Sequence, residues 1–343
     1  MLLTICSISQ LPQALALAAS YITHQPTRAT DHPDVVIGLV DELAQLPADV
    51  AIPYPIIALG ELYPADRLAR LSAQYNPVEL AGACKPRFIR EVFRRYPTVS
   101  QLLYTDPNVL FLHSVTALFT ALAGQTLLLT PHLLQAPGDT GPRSDQWPDE
   151  KALQNVGLYS ADFLALGRST ETDRLLDWWI DRVEERAYID YCEGLCTDQI
   201  WLMHTPVFFS GVQIIHDPAW HVALWNLPQR RLRASGTGWQ LADTQQPVLF
   251  ANLKGLYQPD EGFFPYQTRF RLATRPDAQT LLTAYRQQVA ATGLARLASI
   301  RPAYGARPVA PIVRGWRRSA AQALRSVNGW ITAVDLPRLP GFR

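Results

Sequence analysis

The chain has 343 residues, 48 % of them hydrophobic and 18 % charged, with a net charge of +1. That length and balance exclude a small stapled module and a disordered or fibrous chain, and leave no global basic field for nucleic acid. Four cysteines (Cys6, Cys84, Cys192 and Cys196) form neither a disulfide framework nor a CxxC pair, which points to a reducing cytosol.

Leu2 to Ser9 is apolar and reads as a buried strand. It lacks a basic n-region, so it does not read as a signal peptide. Pro12 starts a helix through Ala19. Asp34 to Asp41 is a second buried strand, ending on Asp41 and Glu42. Ile52 to Leu59 is a shorter apolar run with two prolines. Ala65 to Gln74 is helical, and Pro77 to Arg95 is a long helix interrupted early by Pro86. Gln101 to Leu112 is a strong strand pattern broken by Asp106-Pro107-Asn108, and Gln125 to Thr130 is another strand. Residues 136–149 are rich in Pro, Gly and Asp and read as a loop. Val156 to Leu166 reads as strand and Glu171 to Glu185 as an amphipathic helix. Val207 to His216 and Pro247 to Asn252 are later strands, and Leu281 to Leu297 is helical. Strands alternating with helices predict an α/β domain with a mostly parallel sheet.

Charge is unevenly placed. From Arg301 onward there are eight arginines and one acid, Asp335. Within that tail, Ile312, Trp316, Ala320, Ala323, Val327 and Trp330 share one side of a helical pattern, with Arg314, Arg317, Arg318 and Arg325 over much of the rest. Such a helix either lies on an anionic membrane surface or docks its apolar side on the domain. No apolar stretch is long enough to span a bilayer. The expected organisation is a catalytic domain over residues 1–290 and a basic helical extension over 291–343, in the cytoplasm and peripheral to the membrane if the extension binds lipid.

Several chemistries lack their motif. There is no GxGxxG after the first strand, no GxxxxGK[ST] and no GxSxG elbow. Cys192 and Cys196 have no histidine or cysteine partner near them for zinc. What remains is Asp106 at the end of a buried strand, followed by a turn. An acid placed there lies at the carboxyl edge of the sheet, where open α/β sheets bind ligands. Asp-Pro-Asn is also common turn chemistry. Lysine is scarce: only Lys85, Lys151 and Lys254 occur.

An ordered series of motifs surrounds Asp106-Pro107-Asn108. QYNPVELAGACKPRFI precedes it. TPHLL, NVGLYSADFLAL, LLDWW, GLCTDQIWL, DPAWHVALWNLPQRRL, FANLKG and YQTRF follow in turn. Over roughly residues 2 to 290 the series resembles a bacterial group of glycosyltransferase-like proteins of the GT-A fold. It is distantly similar to the glycogenin-like and lipopolysaccharide galactosyltransferase-like retaining enzymes. The resemblance implies a GT-A-like α/β fold and transfer of a sugar from a nucleoside-diphosphate donor to a hydroxyl of a glycan or lipid-linked acceptor.

Residue by residue, the resemblance puts Asp106 and Asn108 on the two D-x-D positions, which bind a divalent ion and the donor. Lys85 lies near the donor. Asn252 stands where relatives carry a metal-ligating histidine, with Lys254 and Gly255 next to it near the diphosphate. Asp198 and Gln199 fall on an Asp-Gln pair at the reacting sugar. Ser160 and Asp162 stand where the sugar-pocket strand of relatives has Asn and Gly. Asp106, Asn108 and Asn252 are thus the expected ligands of Mn²⁺ or Mg²⁺. Asparagine offers a carbonyl oxygen without charge, which weakens such a site, and Lys254 or an arginine is the alternative counter-charge for the diphosphate.

Other candidates come from the residues themselves. Asp41 is placed at the nucleoside, and His132 at a phosphate or acceptor hydroxyl or, as is commoner for a lone histidine at a strand end, in a structural role. Trp225 and Asn226 are placed at the acceptor side, or as packing residues. Asp198 has a second reading, as the cap of a helix through Ile200 and Met203. The neutral Asn108 and Asn252 also admit a catalytically degenerate protein that keeps the fold and a nucleotide- or partner-binding role.

Overall fold

The computed structural model describes residues 1–25, 31–138, 149–236, 238–259, 270–308 and 316–333. They fall into two compact units, Met1–Arg307 and Pro308–Arg343.

The first unit begins with β1 (Leu2–Cys6), fully buried. In α1 (Leu11–His24) a proline sits in the first turn, where its missing N–H is not needed. β2 (Val35–Leu39) and β3 (Ile56–Ala58) follow, then α2 (Ala65–Gln74) and α3 (Pro77–Arg95). Asn76 caps α3: its Oδ1 accepts from Val78 N and Glu79 N, both at 3.0 Å, and Glu79 reaches back to Asn76 N. The expected break at Pro86 does not occur. An interior proline costs about 3 kcal/mol. Leu80, Phe88, Ile89 and Val92 are fully buried along the same helix, and each such side chain contributes ~1.5–3 kcal/mol. Burial outweighs the lost bond.

β4 (Gln101–Thr105) and β5 (Val109–Phe111) flank the Asp106-Pro107-Asn108 turn. Next come α4 (Thr116–Leu122), β6 (Leu127–Leu129), α5 (Glu150–Val156), β7 (Phe163–Gly167) and α6 (Thr170–Arg186). The strand expected from Val156 therefore starts only at Phe163. Gly157 at φ +101° ends α5, and the chain then crosses toward Thr130, whose carbonyl accepts from Ser160 N at 3.0 Å. β8 (Ile189–Asp190) and β9 (Leu195–Cys196) form a short hairpin.

The strand expected at Val207 to His216 divides into α7 (Thr205–Phe208), with Pro206 in its first turn, and β10 (Val212–Ile214). β11 (His221–Ala223), β12 (Leu232–Ser235), β13 (Gly238–Leu241), β14 (Phe250–Asn252) and α8 (Pro276–Ala291) complete the unit. α8 begins before Leu281, and Gly293 at φ +70° separates it from a 3₁₀ turn at Ala295–Ser299.

The main sheet has the order β10-β6-β7-β4-β1-β2-β3. Its pairs are parallel except those of β7, which runs antiparallel to β4 and β6. This is the mixed α/β architecture implied above, a mostly parallel sheet flanked by helices. The chain moves outward from β1 through β2 to β3, then returns to place β4 on β1's other side. Between β1 and β4 lies the topological switch point, the place where such sheets bind ligands at their carboxyl ends.

Side chains alternate across the sheet. Leu3, Ile5, Leu102 and Tyr104 pack with Leu80, Phe88 and Ile89 of α3. Leu2 and Leu103 pack on the other side with Leu17 and Tyr21 of α1. Gly38 permits the close approach of α3, since a Cβ there would lie 2.8 Å from Phe88 Cδ1. A second sheet, β11-β14-β5, is built beside the first. It brings the end of β14 next to the turn after β4, with Leu253 N donating to Asn108 O at 2.9 Å.

The compact body continues past the expected limit at residue 290. Leu297 is buried with Leu11, Ala14 and Ile37, and Ala303 N donates to Asp41 Oδ1 at 2.6 Å. In the second unit, α9 (Trp316–Ala333) forms within the predicted amphipathic stretch. Trp316, Leu324, Val327, Trp330 and Ile331 are exposed. Ile312, Arg314 and the side chains of Arg317, Arg318 and Arg325 lie outside the described residues, as do YQTR of the last motif and most of the 136–149 loop. Among the described residues no helix is long and apolar enough to cross a membrane.

Asp41 ties the end of the body to its beginning, accepting from Ile8 N at 2.8 Å as well as from Ala303 N. Asp41→Ala leaves the buried Ile8 N–H without an acceptor, at a cost of about 1–3 kcal/mol, and frees the partly buried Ala303 N–H. The expected result is a lower melting temperature, with amide hydrogen exchange quickened at Ile8 and Ala303 before the rest.

Candidate functional site

Five charged side chains converge at the carboxyl end of β4. Asp106 follows β4 directly, and Asp162 precedes β7, the neighbouring strand, so that Asp106 N donates to Asp162 O at 2.9 Å. Lys254 follows β14. Its Nζ lies 2.7 Å from Asp106 Oδ2 and 2.9 Å from Asp162 Oδ1. Lys85, on α3, has its Nζ 2.6 Å from Asp198 Oδ2 and 3.9 Å from Asp106 Oδ1. The order Asp198, Lys85, Asp106, Lys254, Asp162 alternates in sign. Two of the chain's three lysines are in it.

Neutral groups complete the cluster. Tyr104 OH donates to Asp106 Oδ1 at 2.6 Å, and the Lys85 ammonium lies over the Tyr104 ring, 4.7 Å from its centroid. Lys85 also donates to Ala161 O at 2.9 Å. Asn252 donates from Nδ2 to Asp162 Oδ2 at 2.8 Å and accepts Lys254 N on Oδ1 at 3.0 Å. Gly255, at φ +76°, turns the chain away after Lys254, a conformation that favours glycine.

Solvent reaches the cluster unevenly. The side chains of Asp106 and Lys254 keep 15 % and 16 % exposure, against 6 % for Lys85, 5 % for Asp162 and 4 % for Asp198. A ligand entering from the sheet edge therefore meets Asp106 and Lys254 first. Burial pushes the Asp106 carboxyl above the usual range, with the charge of Asp162 adding to it against the two lysines. For Asp162, burial pushes the same way, but Lys254 and the bond shared with Asp106 outweigh it and hold it below the usual range. Lys254 is held above its ordinary value: burial works against its charge, and the two carboxylates outweigh it. The two carboxylates share one ammonium between them.

Asp198 is held by its surroundings on several sides. Thr197, just before it, has φ +48°, a strained conformation for a β-branched residue. Trp179 Nε1 donates to Asp198 O at 3.1 Å. Gly82 of α3 has no side chain where a Cβ would lie 2.7 Å from Asp198 Oδ1. The helix-cap reading of Asp198 is not what forms. The following 3₁₀ turn, Ile200–His204, begins at Gln199 with no side-chain cap, because the Asp198 carboxylate is turned to Lys85.

Other expected site residues are occupied elsewhere. Gln199 is buried, accepting Ala161 N on Oε1 at 3.0 Å and donating from Nε2 to Val156 O at 2.7 Å. It clips α5 to the turn that carries Asp162 ahead of β7. Ser160 Oγ accepts Asp162 N at 3.3 Å. Asp41 is buried, with one backbone donor on each oxygen, and lies at β2 rather than in the cluster. His132, Trp225 and Asn226 form a buried wall. The His132 and Trp225 rings meet edge-on at 4.9 Å. Asn226 accepts Ala223 N at 2.9 Å and donates to His221 O at 3.0 Å. His132 is pushed down to about 4, chiefly by burial, so it is neutral at pH 7 and brings no charge to a phosphate. Tyr104 was not among the expected residues, although strand alternation gives it the same face as Asp106 two positions on.

The residues do not fit a divalent metal. Asp106 has one oxygen on Tyr104 and the other on Lys254. Asn252 turns its amide nitrogen to Asp162 and spends its oxygen on a backbone donor. Asn108 is buried. An ion between Asp106 and Asp162 would stand against the Lys254 ammonium, and two unit charges 4 Å apart near a protein surface already interact by about 4 kcal/mol. Among the described residues no group of three His, Cys, Asp or Glu is placed to hold a metal.

No protein-family model and no curated protein sequence matches the chain. Among solved structures, the galactosyltransferase LgtC in complex with donor and acceptor sugar analogs is similar over 84 % of this chain and 95 % of that one, at 12 % identity and a TM-score of 0.49. An active-site mutant of LgtC covers the same shares at 11 % identity and 0.44. A glycosyltransferase involved in glycosylation of the major capsid of PBCV-1 covers 74 % of this chain and 94 % of that one, at 10 % identity and 0.39.

The cluster makes Lys254 the counter-ion of the buried Asp162 and the partly buried Asp106. Lys254→Met is expected to cost about 3–5 kcal/mol of stability, the usual penalty for leaving buried charge unpaired. Lys254→Met with Asp162→Asn should recover part of it, and a double-mutant cycle by chemical denaturation measures the coupling. A further expectation concerns pH. Below about 6.5 the unfolded chain protonates His132, whereas the folded chain does so only near 4. Stability therefore falls as pH drops through that window, by on the order of 3 kcal/mol from this group. His132→Gln should flatten the fall, as read from denaturation midpoints between pH 7 and pH 4.

Proposed function

We propose that this chain is a glycosyltransferase that moves a sugar from a nucleoside-diphosphate donor to a hydroxyl of a glycan or lipid-linked acceptor, with retention of anomeric configuration. The single observation that carries the reading is the alternating cluster of Asp198, Lys85, Asp106, Lys254 and Asp162 at the carboxyl end of β4. It lies beside the switch point, where an α/β sheet presents its binding crevice, and its Asp106 belongs to the turn that resembles a D-x-D element. The order of the surrounding motifs supports the same reading.

In the transfer, the bond from the anomeric carbon to the diphosphate oxygen breaks and a bond to the acceptor oxygen forms. The acceptor proton passes to the departing diphosphate. Retention follows when the acceptor approaches on the face the diphosphate leaves. Little covalent work then falls to the protein. Its part is to position the reactants and to meet the charge that develops on the leaving group. Lys254 is the more exposed of the two ammonium groups and faces the diphosphate. Lys85 is spent on Asp198 and Ala161, and acts by fixing the floor of the site. Asp198 lies deeper, and its negative charge favours the positive charge that builds at the anomeric carbon.

The test is a panel of nucleoside diphosphates and their sugars in calorimetry, followed by a product assay with the donor that binds. One nucleotide should bind selectively, and Asp106→Asn should lower turnover at least 100-fold while the protein stays folded by circular dichroism. Full activity in Asp106→Asn would remove this site from the chemistry. Selective binding with no product from any acceptor would mark a nucleotide-binding protein without catalysis.

A further inference from the structure

Asp162, Asn252 and Lys254 meet at one point. Asp162 adds a carboxylate opposite Asp106, Lys254 brings an ammonium between them, and Asn252 fixes Asp162 from behind with its amide nitrogen. At that point the ammonium does what a bound cation does in a cluster of acids: it gathers two carboxylates that would otherwise repel each other. It also keeps part of its side chain open to solvent.

We infer that Lys254 is the built-in cation of the donor site: its ammonium holds the place between Asp106 and Asp162 that a divalent ion would need, so the diphosphate is bound and released without metal. This rests on the donor reading above. Ammonium and metal differ in what they allow. A divalent ion is exchangeable and sensitive to chelators. A lysine is fixed by the fold, and β14 positions it through the bond from Lys254 N to Asn252 Oδ1. It carries one charge instead of two, so Asp106, Asp162 and Lys254 together remain one charge negative.

The test uses the full chain after treatment with a chelator, with inorganic pyrophosphate and the nucleoside diphosphate panel as probes in calorimetry, and Mn²⁺ binding followed by electron paramagnetic resonance. Wild type should bind the probes with an affinity that Mn²⁺ changes less than twofold. Lys254→Ser should lose at least tenfold in the absence of metal, and Mn²⁺ should restore it, because the freed carboxylates then accept the ion. Lys254→Arg should stay close to wild type. A merely structural lysine would not yield binding that Mn²⁺ rescues. Wild-type binding that strengthens tenfold or more with Mn²⁺ would overturn the inference and leave the donor reading standing. So would metal-free binding by Lys254→Ser equal to wild type. Absence of binding of every probe, with and without Mn²⁺, would instead overturn the donor reading itself. Should Lys254→Ser fail to fold, the wild-type comparison with and without Mn²⁺ decides alone.

Discussion

The rest of the site depends on one ammonium held between two carboxylates. Lys254 links three separate parts of the chain: the turn after β4 through Asp106, the approach to β7 through Asp162, and the end of β14 on which it stands. Each of these carboxylates would be costly to bury alone. With the lysine in place they can lie side by side at the edge of the sheet. The second lysine repeats the device one step deeper, fastening Asp198 to α3. The fold supplies the geometry for both. β4 and β7 are adjacent, α3 packs closely over β1 and β2, and the small second sheet carries β14 to the same edge.

Buried ion pairs are weak contributors to stability, because desolvation offsets most of the attraction. Apolar side chains of similar volume would serve the fold as well or better. Stability therefore does not account for five charged residues at the sheet edge, nor for a threonine held at φ +48° beside them. Strain and buried charge together are what functional sites retain.

Much of this was legible in the sequence. Buried strands at Leu2 and Asp34, the long helix at Pro77 and the acid-ended strand at Gln101 all lie where apolar runs and turn residues put them. The exceptions have local causes. Pro86 does not break α3 because the helix is buried along its length. Gly157, Gly211 and Gly293, each at positive φ, divide segments whose apolar content alone read as continuous. For the site, Asp106, Lys85, Lys254, Asp162 and Asp198 were all picked out, and the structure brings them together. Their pairing was not legible. Lys85 and Asp198 are 113 positions apart in the chain, and their ion pair at 2.6 Å depends on the packing of α3 against Thr197 and Asp198 at Gly82. Asp41 and His132 were chosen for residue type near strand ends. A strand end alone does not tell a polar group facing a crevice from one closing a backbone hydrogen bond.

The departures from the resembled motif bear on one another physically. A carboxylate added at Asp162 without a lysine would face Asp106 unscreened. A metal ion beside Lys254 would be repelled by its ammonium. A histidine at Asn252, once protonated, would compete with Lys254 for Asp162. Together Asp162, Lys254 and Asn252 close a network in which Asp162 has a donor on both oxygens and the ammonium has two carboxylates.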